Sequence, residues 1–229
     1  VGHLKRLIER NTEQEKQRRR TELALLQAQI NPHFLYNTLD TIIWLIESGE
    51  ISESVAMVSS LSNFFRFSLS RGQNVITLKE EQQHIRSYLE IQHMRYRDLM
   101  EYEIDIPEEL DGYILPKLTL QPLVENALYH GIKIRRRKGL IRVSGRIEGE
   151  ELILEVADDG NGMSVERLDE VRSSLFDGRK EGFGLRTVHQ RIQILFGQEY
   201  GLTLSSTPED GTRIFVKIPM RTSEKEMGE

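Results

Sequence analysis

The residue with the clearest chemical potential is His33, in the run Gln-Ala-Gln-Ile-Asn-Pro-His-Phe-Leu-Tyr-Asn-Thr-Leu-Asp over 27–40. A neutral imidazole, with a reference pKa of about 6.5, keeps one unprotonated nitrogen and can attack a phosphorus centre at physiological pH. Helical spacing places Gln29, His33, Asn37 and Asp40 on one face. We predict that His33 is exposed to a separate phosphate donor, although helical position alone more often marks an ordinary surface histidine.

A second candidate site is the segment Leu-Gln-Pro-Leu-Val-Glu-Asn-Ala-Leu-Tyr-His-Gly, over 120–131. Its apolar positions predict a buried stripe of Leu120, Val124, Ala127 and Leu128, with Asn126 and His130 on another face beside Glu125. The amide oxygen of Asn126 is a hard ligand that suits Mg²⁺, which also takes water and phosphate oxygens. Taken singly, Asn126 also fits a surface amide, and His130 fits a helix end before a terminating Gly131.

A strand runs into a glycine turn at Val-Ala-Asp-Asp-Gly-Asn-Gly-Met, over 156–163. Asp158 can accept a hydrogen bond from an adenine amino group, while Gly160 and Gly162 let the backbone approach a base. As an isolated pattern, Asp-x-Gly-x-Gly is more often a plain tight turn.

Downstream, Gly182-Phe-Gly184 opens a helix whose N-terminal amides favour phosphate. The charged loop from Met163 to Gly182 could order over a triphosphate, or it could be an ordinary connection. The basic run Lys133–Lys138 could meet phosphate, but such runs are more often solvated loops. No Gly-x-Gly-x-x-Gly follows a first strand and no P-loop occurs, which excludes a Rossmann nucleotide site.

Together these motifs carry a family resemblance. The run Gln-Ile-Asn-Pro-His-Phe-Leu-Tyr-Asn closely resembles the phosphoacceptor motif of sensor histidine kinases of the LytS/YesM type. Asn126, then Asp158-x-Gly-x-Gly, then Gly182-x-Gly184 follow the order of the GHKL ATPase superfamily, which has the Bergerat fold. The resemblance extends from about Leu23 to Pro219 and is closest to the YesM-like branch because of Leu-Thr-Leu-Gln-Pro-Leu-Val-Glu-Asn-Ala.

The resemblance implies a homodimer that uses ATP and Mg²⁺, phosphorylates His33 and passes the phosphoryl group to an aspartate of a response regulator. It implies His33, Asn37 and Glu125 as catalytic residues and Asn126 as the metal ligand. The implied nucleotide-contacting residues are Asn126, His130, Lys133, Asp158, Gly160, Gly162, Met163, Lys180, Gly182, Gly184, Leu185, Arg186 and Thr212. Phe34 stands where other histidine kinase types have an acidic residue, so Asn37 is expected to orient the ring rather than act as a base.

Two other functions share parts of this pattern. A GHKL ATPase or serine kinase of the anti-sigma type would share the nucleotide site but leaves the His33 motif unexplained. A catalytically silent, ATP-dependent dimer scaffold would not need intact acceptor and nucleotide motifs.

Composition narrows the class of protein. A net charge of -5 gives no overall attraction for nucleic-acid phosphates, so no nucleic-acid partner is expected. The absence of cysteine excludes disulfides and thiolate metal sites. No apolar run is long enough to cross a bilayer. The family resemblance implies the cytoplasmic portion of a bacterial sensor, attached to the membrane through a missing upstream region.

The predicted elements divide into a helical part and a mixed part. We expect a signalling or coiled-coil helix over 1–21, a dimerisation and phosphoacceptor domain over 22–77, an ATP-binding domain over 78–220 and a polar tail over 221–229. One long helix should bend at Pro32, with the apolar stripe Leu23, Leu26, Ile30 before it and Leu35, Leu39, Ile42, Ile46 after it. A second, antiparallel helix carries Val55, Val58, Leu61, Phe65 and Leu69.

Two such helices bury too little alone, so dimerisation into a four-helix bundle is expected. The pattern from Glu101 onward predicts strands and helices in a two-layer α/β sandwich.

Overall fold

The computed structural model describes residues 32–68, 74–134, 137–176 and 183–223. The chain divides into two compact units between Val55 and Ala56. This division reflects only how compact the two parts are. It does not test the predicted domain boundary between residues 77 and 78, which stays a prediction. The helix predicted over 1–21, the residues before Pro32 on which its predicted bend depends, and most of the tail lie outside the described residues.

The first unit is built on helix α1, Pro32–Glu47, which ends in a Schellman turn. Gly49 has a φ of +80°, in the left-handed region that glycine enters without a Cβ clash. The N–H of Glu50 bonds back to the carbonyl of Leu45 at 2.8 Å. The next helix, α2, spans Ile51–Ser68, so the predicted short link between the two helices is confirmed.

The apolar stripes predicted for these helices face a bundle core that only a dimer would complete, so burial within one chain does not test them. The buried residues of α1 are Phe34, Thr38, Ile42 and Leu45. Of the predicted stripe, Leu39 and Ile46 are 42% and 53% exposed. In α2, Val55 and Val58 are exposed as well. Because α1 carries apolar side chains on more than one face, periodicity alone does not decide which face is covered within one chain.

The strands of the second unit are β1 Val75–Thr77, β2 Met100–Asp105, β3 Ile114–Pro116, β4 Gly139–Glu148, β5 Glu151–Asp158, β6 Gly201–Thr207 and β7 Gly211–Pro219. Five of them form a mixed sheet in the order β2-β4-β5-β7-β6, in which β2 is parallel to β4 and the other neighbours are antiparallel. β1 and β3 form a separate antiparallel pair that the sequence did not predict, because three-residue strands carry too short a pattern.

The main sheet has one apolar and one polar face. Leu152, Leu154 and Val156 of β5 are buried on one side. On the other side Arg142 pairs with Glu103 at 2.8 Å, and Lys217 pairs with Glu151 at 2.8 Å. Because only the apolar face needs cover, the predicted two-layer α/β architecture is confirmed.

Besides most of α2, the second unit contains the helices α3 Leu78–Arg95, α4 Leu120–Asn126, α5 Val165–Ser174 and α6 Phe183–Phe196. α3 starts with a capping box, in which Glu80 accepts from the N–H of Thr77 at 2.9 Å. α4 continues as a π-helical turn, Ala127–Ile132, where the sequence predicted one regular helix. In the described ranges, no helix combines the length and hydropathy that a bilayer span requires.

Candidate functional site

The helix that bears Asn126 is anchored at its start by a buried carboxylate. Glu81 of α3 accepts hydrogen bonds from the N–H groups of Leu118, at 3.1 Å, and Leu120, at 2.7 Å. The first N–H groups of a helix lack internal partners, and a negative charge near them is favourable. Leu118 has a φ of +59°, a costly conformation for leucine that these bonds hold in place.

The turn after α4 brings predicted residues to two adjoining cavities. The predicted buried stripe of Leu120, Val124, Ala127 and Leu128 is confirmed. The helix continues to Ile132, so Gly131 does not terminate it as predicted. The wider π-helical turn, a form found often at functional sites, leaves Asn126 and His130 lining both cavities.

The larger cavity has a volume of about 510 Å³. The predicted nucleotide-contacting residues that line it are Asn126, His130, Gly162, Met163, Leu185 and Thr212. Helix α5 adds four residues that were not predicted, Arg167, Glu170, Val171 and Ser174. Their spacing marks one helix face, and that spacing was the signal available in the sequence.

The smaller cavity, of about 250 Å³, shares Asn126, His130 and Leu185 with the larger one. Glu125 and Gly184 also line it. The two cavities therefore meet at Asn126, where a ligand that extends from one to the other would pass the amide side chain.

Asp158 is buried at the end of β5 and lies beside the larger cavity rather than on its lining. Its Oδ1 accepts the N–H of Gly160 at 2.9 Å. A Cβ on Gly131 would lie 2.4 Å from this oxygen, and one on Gly160 would lie 2.5 Å from it. Both glycines thus make room for the carboxylate, a role of Gly131 that no local pattern indicated.

Ser206 is a further residue that the sequence did not indicate. Its hydroxyl accepts the N–H of Met163 at 2.9 Å and donates to the carbonyl of Gly211 at 2.7 Å. Its oxygen also lies 3.0 Å from Oγ1 of Thr212, its partner across β6 and β7. Only strand register brings these residues together, so Ser206 could not be identified from spacing along the chain.

Glu125 is the carboxylate nearest in sequence to Asn126. Burial raises its pKa above the ordinary value, while hydrogen bonds from Gln121 and Tyr88 oppose that rise. Gln121 donates to Oε1 of Glu125 at 2.9 Å. The carboxylate is therefore partly desolvated and held by donors that favour its ionised form.

In the first unit, His33 is exposed, as predicted. The side-chain nitrogen of Asn37, one turn further along α1, lies 3.0 Å from Nδ1 of His33. A half-turn of the Asn37 amide would present its oxygen to the same ring nitrogen. Asn37 can therefore bond to Nδ1 in either ring tautomer, donating to a bare Nδ1 or accepting from Nδ1–H.

Comparison with known proteins agrees with this geometry. Residues 21–100 match the family model described as histidine kinase, and residues 115–222 match that of histidine kinase-, DNA gyrase B-, and HSP90-like ATPases. The chain is 38% identical over 221 residues to the sensor histidine kinase YesM of Bacillus subtilis, covering 96% of this chain and 37% of that protein. It is 34% identical over 218 residues to the sensor protein LytS of Streptococcus agalactiae, covering 93% of this chain and 37% of that protein.

The chain belongs to the sensor histidine kinase family, of the LytS/YesM type. It spans little more than a third of the length of the YesM and LytS relatives. A solved structure, the histidine kinase domain from the Erythrobacter litoralis EL346 blue-light activated histidine kinase, superposes with a TM-score of 0.51 at 20% identity. That match covers 91% of this chain and 95% of the other, and at this identity it shows the fold alone.

Some residues implied by the family resemblance lie away from both cavities. Lys133 donates to the hydroxyl of Tyr96 at 3.1 Å, and its Nζ is 4.8 Å from the ring centroids of Tyr96 and Tyr129. Arg186 follows Leu185 on α6 without lining either cavity. Lys180 and Gly182 lie outside the described residues.

The donor set around Asn126 fits Mg²⁺ better than a metal that needs a protein cage. Within the ranges that the structure describes, no group of three or more His, Cys, Asp or Glu could hold a metal ion. Mg²⁺ is commonly held by one or two protein oxygens together with water and substrate phosphates. The amide oxygen of Asn126, at the junction of the cavities, can supply such a contact.

Proposed function

We propose that this chain is the kinase portion of a two-component sensor, which transfers the γ-phosphoryl group of Mg-ATP to its own His33. The observation that carries the proposal is the meeting of two motifs in one cavity. Asn126 lines it from the helix side, and Gly162 lines it from the turn that follows Asp158. These are the motifs that the ATPase family combines, and the family model covers both.

In this proposal Asp158 accepts a hydrogen bond from the adenine amino group, and Asn126 faces the phosphates. Thr212 and Met163 line the cavity near the base, and Gly184, at the start of α6, faces the phosphate end. The amide oxygen of Asn126 would hold Mg²⁺, and the bound ion would supply charge neutralisation for the phosphates.

At His33, Asn37 turns its amide oxygen toward Nδ1 and keeps the ring proton there, which leaves the electron pair on Nε2. Nε2 forms the N–P bond as the bond between phosphorus and the ADP oxygen breaks. The ring is positively charged until the Nδ1 proton leaves to water. We assign to Glu125 the role of stabilising this positive charge. An ionised carboxylate beside the reacting imidazole offsets the charge, whereas Phe34 has no charge to do so.

The further steps of the proposal are a homodimer and transfer to an aspartate of a response regulator. α1 exposes Tyr36, Leu39, Ile43 and Ile46 at helical spacing. An apolar face of this kind favours association with a second copy, as the predicted four-helix bundle requires. Membrane attachment through an upstream region stays a prediction.

The test is incubation with ATP labelled at the γ-phosphate. We expect label on the protein that acid removes and base does not, as for a phosphoramidate, and no label on His33→Ala. His93→Ala is the matched control, since His93 is a half-buried histidine of α3 paired with Glu101 at 3.1 Å. Nucleotide affinity should be unchanged in both variants. Acid-stable label would indicate a serine kinase instead, and phosphate release without label would indicate an ATPase.

A further inference from the structure

Three polar side chains lie in series behind the proposed catalytic carboxylate. Nε2 of His84, on α3, lies 2.8 Å from Oε1 of Gln121. Gln121 in turn donates from Nε2 to Oε1 of Glu125 at 2.9 Å. Gln121 and Glu125 are four residues apart on α4, so this bond runs along one helix face.

The chemistry of the three groups fixes which atom donates and which accepts in each hydrogen bond of the series. An ionised carboxylate accepts hydrogen bonds only, so Gln121 must turn its NH₂ toward Glu125. Its oxygen then faces His84, which must present Nε2–H. A neutral ring with its proton on Nε2 satisfies this requirement, and burial lowers the pKa of His84, which favours the neutral form.

His84, at the end of the series away from Glu125, is held rigidly. His84 is 1% exposed, and its ring stacks on Phe64 with the centroids 4.8 Å apart. Tyr88, one turn further along α3, is also 1% exposed and hydrogen-bonds to Glu125. A buried, stacked ring loses little further entropy when it holds a partner, so α3 provides a fixed support for side chains on α4.

We propose that His84 and Gln121 are positioning residues that hold the Glu125 carboxylate toward the smaller cavity, where the acceptor imidazole must be received. Neither touches the substrate, and both act through Glu125. This inference rests on the proposed function, in which Glu125 offsets the charge on the phosphorylated ring.

The first test replaces Gln121 by methionine, which is of similar length and makes neither bond. We expect the single-turnover rate of His33 phosphorylation at saturating ATP to fall about tenfold, with nucleotide affinity within twofold of the parent. Gln82→Met is the matched control, because Gln82 also donates to a carboxylate, Asp111, at 3.0 Å but lies outside both cavities. It should keep the parental rate.

The second test repeats Gln121→Met in a Glu125→Gln background. If Gln121 acts through Glu125, the double variant should be no slower than Glu125→Gln alone. A further tenfold loss in that background would show a general structural role and overturn the inference. His84→Phe, which keeps the ring stacked on Phe64, should reproduce the loss even if Gln121→Met folds poorly.

The outcomes separate the inference from the proposed function. If the parent protein forms no acid-labile label, the proposed function fails and the inference fails with it. If the parent labels and Glu125→Gln is slow, but Gln121→Met and His84→Phe stay within twofold of the parental rate, only the inference is overturned.

Discussion

Helix α1 and the larger cavity hold the side chains of the proposed acceptor and nucleotide sites in opposite ways. His33 is exposed on α1, with the Asn37 amide 3.0 Å from its ring. Asp158 is buried, bonded to the backbone of Gly160 and enclosed so closely that Gly131 cannot accept a Cβ without a shift. One centre is open and adjustable, and the other is enclosed.

The difference fits what the proposed function would require of each centre. A group that recognises a base gains specificity when water is excluded, since an unmatched partner then leaves a buried polar group unpaired. A group that receives a phosphoryl group and passes it to another protein must be reached from outside. Substitutions should therefore reduce binding or activity most where the side chain is most tightly enclosed.

The largest effect is expected for Gly131→Ala. The new Cβ would lie 2.4 Å from Oδ1 of Asp158, so the carboxylate or the π-helical turn must move. We expect nucleotide affinity, measured by calorimetry, to fall by about a hundredfold or more, equivalent to roughly 2.8 kcal/mol. Gly112→Ala should keep the parental affinity, because no atom lies within 4 Å of the site of its Cβ. Equal affinities for the two variants would contradict the enclosed site.

Asp158→Asn should have a smaller effect on the same measurement. The asparagine oxygen can keep the bond to the N–H of Gly160, but its NH₂ would then face the adenine amino group. Loss of a hydrogen bond to a charged acceptor costs about 1.5–3 kcal/mol, or roughly ten- to 150-fold in affinity. Asp105→Asn, at an exposed strand end, is the control. If Asp158→Asn binds the nucleotide with the parental affinity, Asp158 does not have the proposed role in binding the adenine amino group.

The smallest effect is expected at the open centre. Asn37→Ala should lower the single-turnover phosphorylation rate about tenfold, because the ring loses the group that sets its tautomer, while ATP affinity stays parental. Asn37→Asp keeps an acceptor for Nδ1–H and should restore the rate to within about threefold. Glu47→Ala, at the exposed end of the same helix, should not change it. A slow Asn37→Asp would argue that Asn37 acts as a donor instead.

Local sequence patterns predicted the structure best where a single buried stripe or a few neighbouring residues determine it. The buried residues of α4 and the exposure of His33 both follow from spacing within a few residues. In α1, apolar side chains on several faces mean that period alone does not determine the face covered within one chain.

By itself, the sequence determined the family, the two-layer α/β class and the helix faces that carry His33 and Asn126, since motifs and periodicity are properties of short segments. Only the tertiary structure decided that Ser206 joins the Met163 turn to Gly211, that Gly131 gives room to Asp158, and that His84 supports Glu125 through Gln121. The long-range contacts among these join Ser206 to Met163, His84 to Gln121 and Gly131 to Asp158, which are 43, 37 and 27 positions apart. Strand register and helix packing bring them together, and spacing along the chain does not encode either.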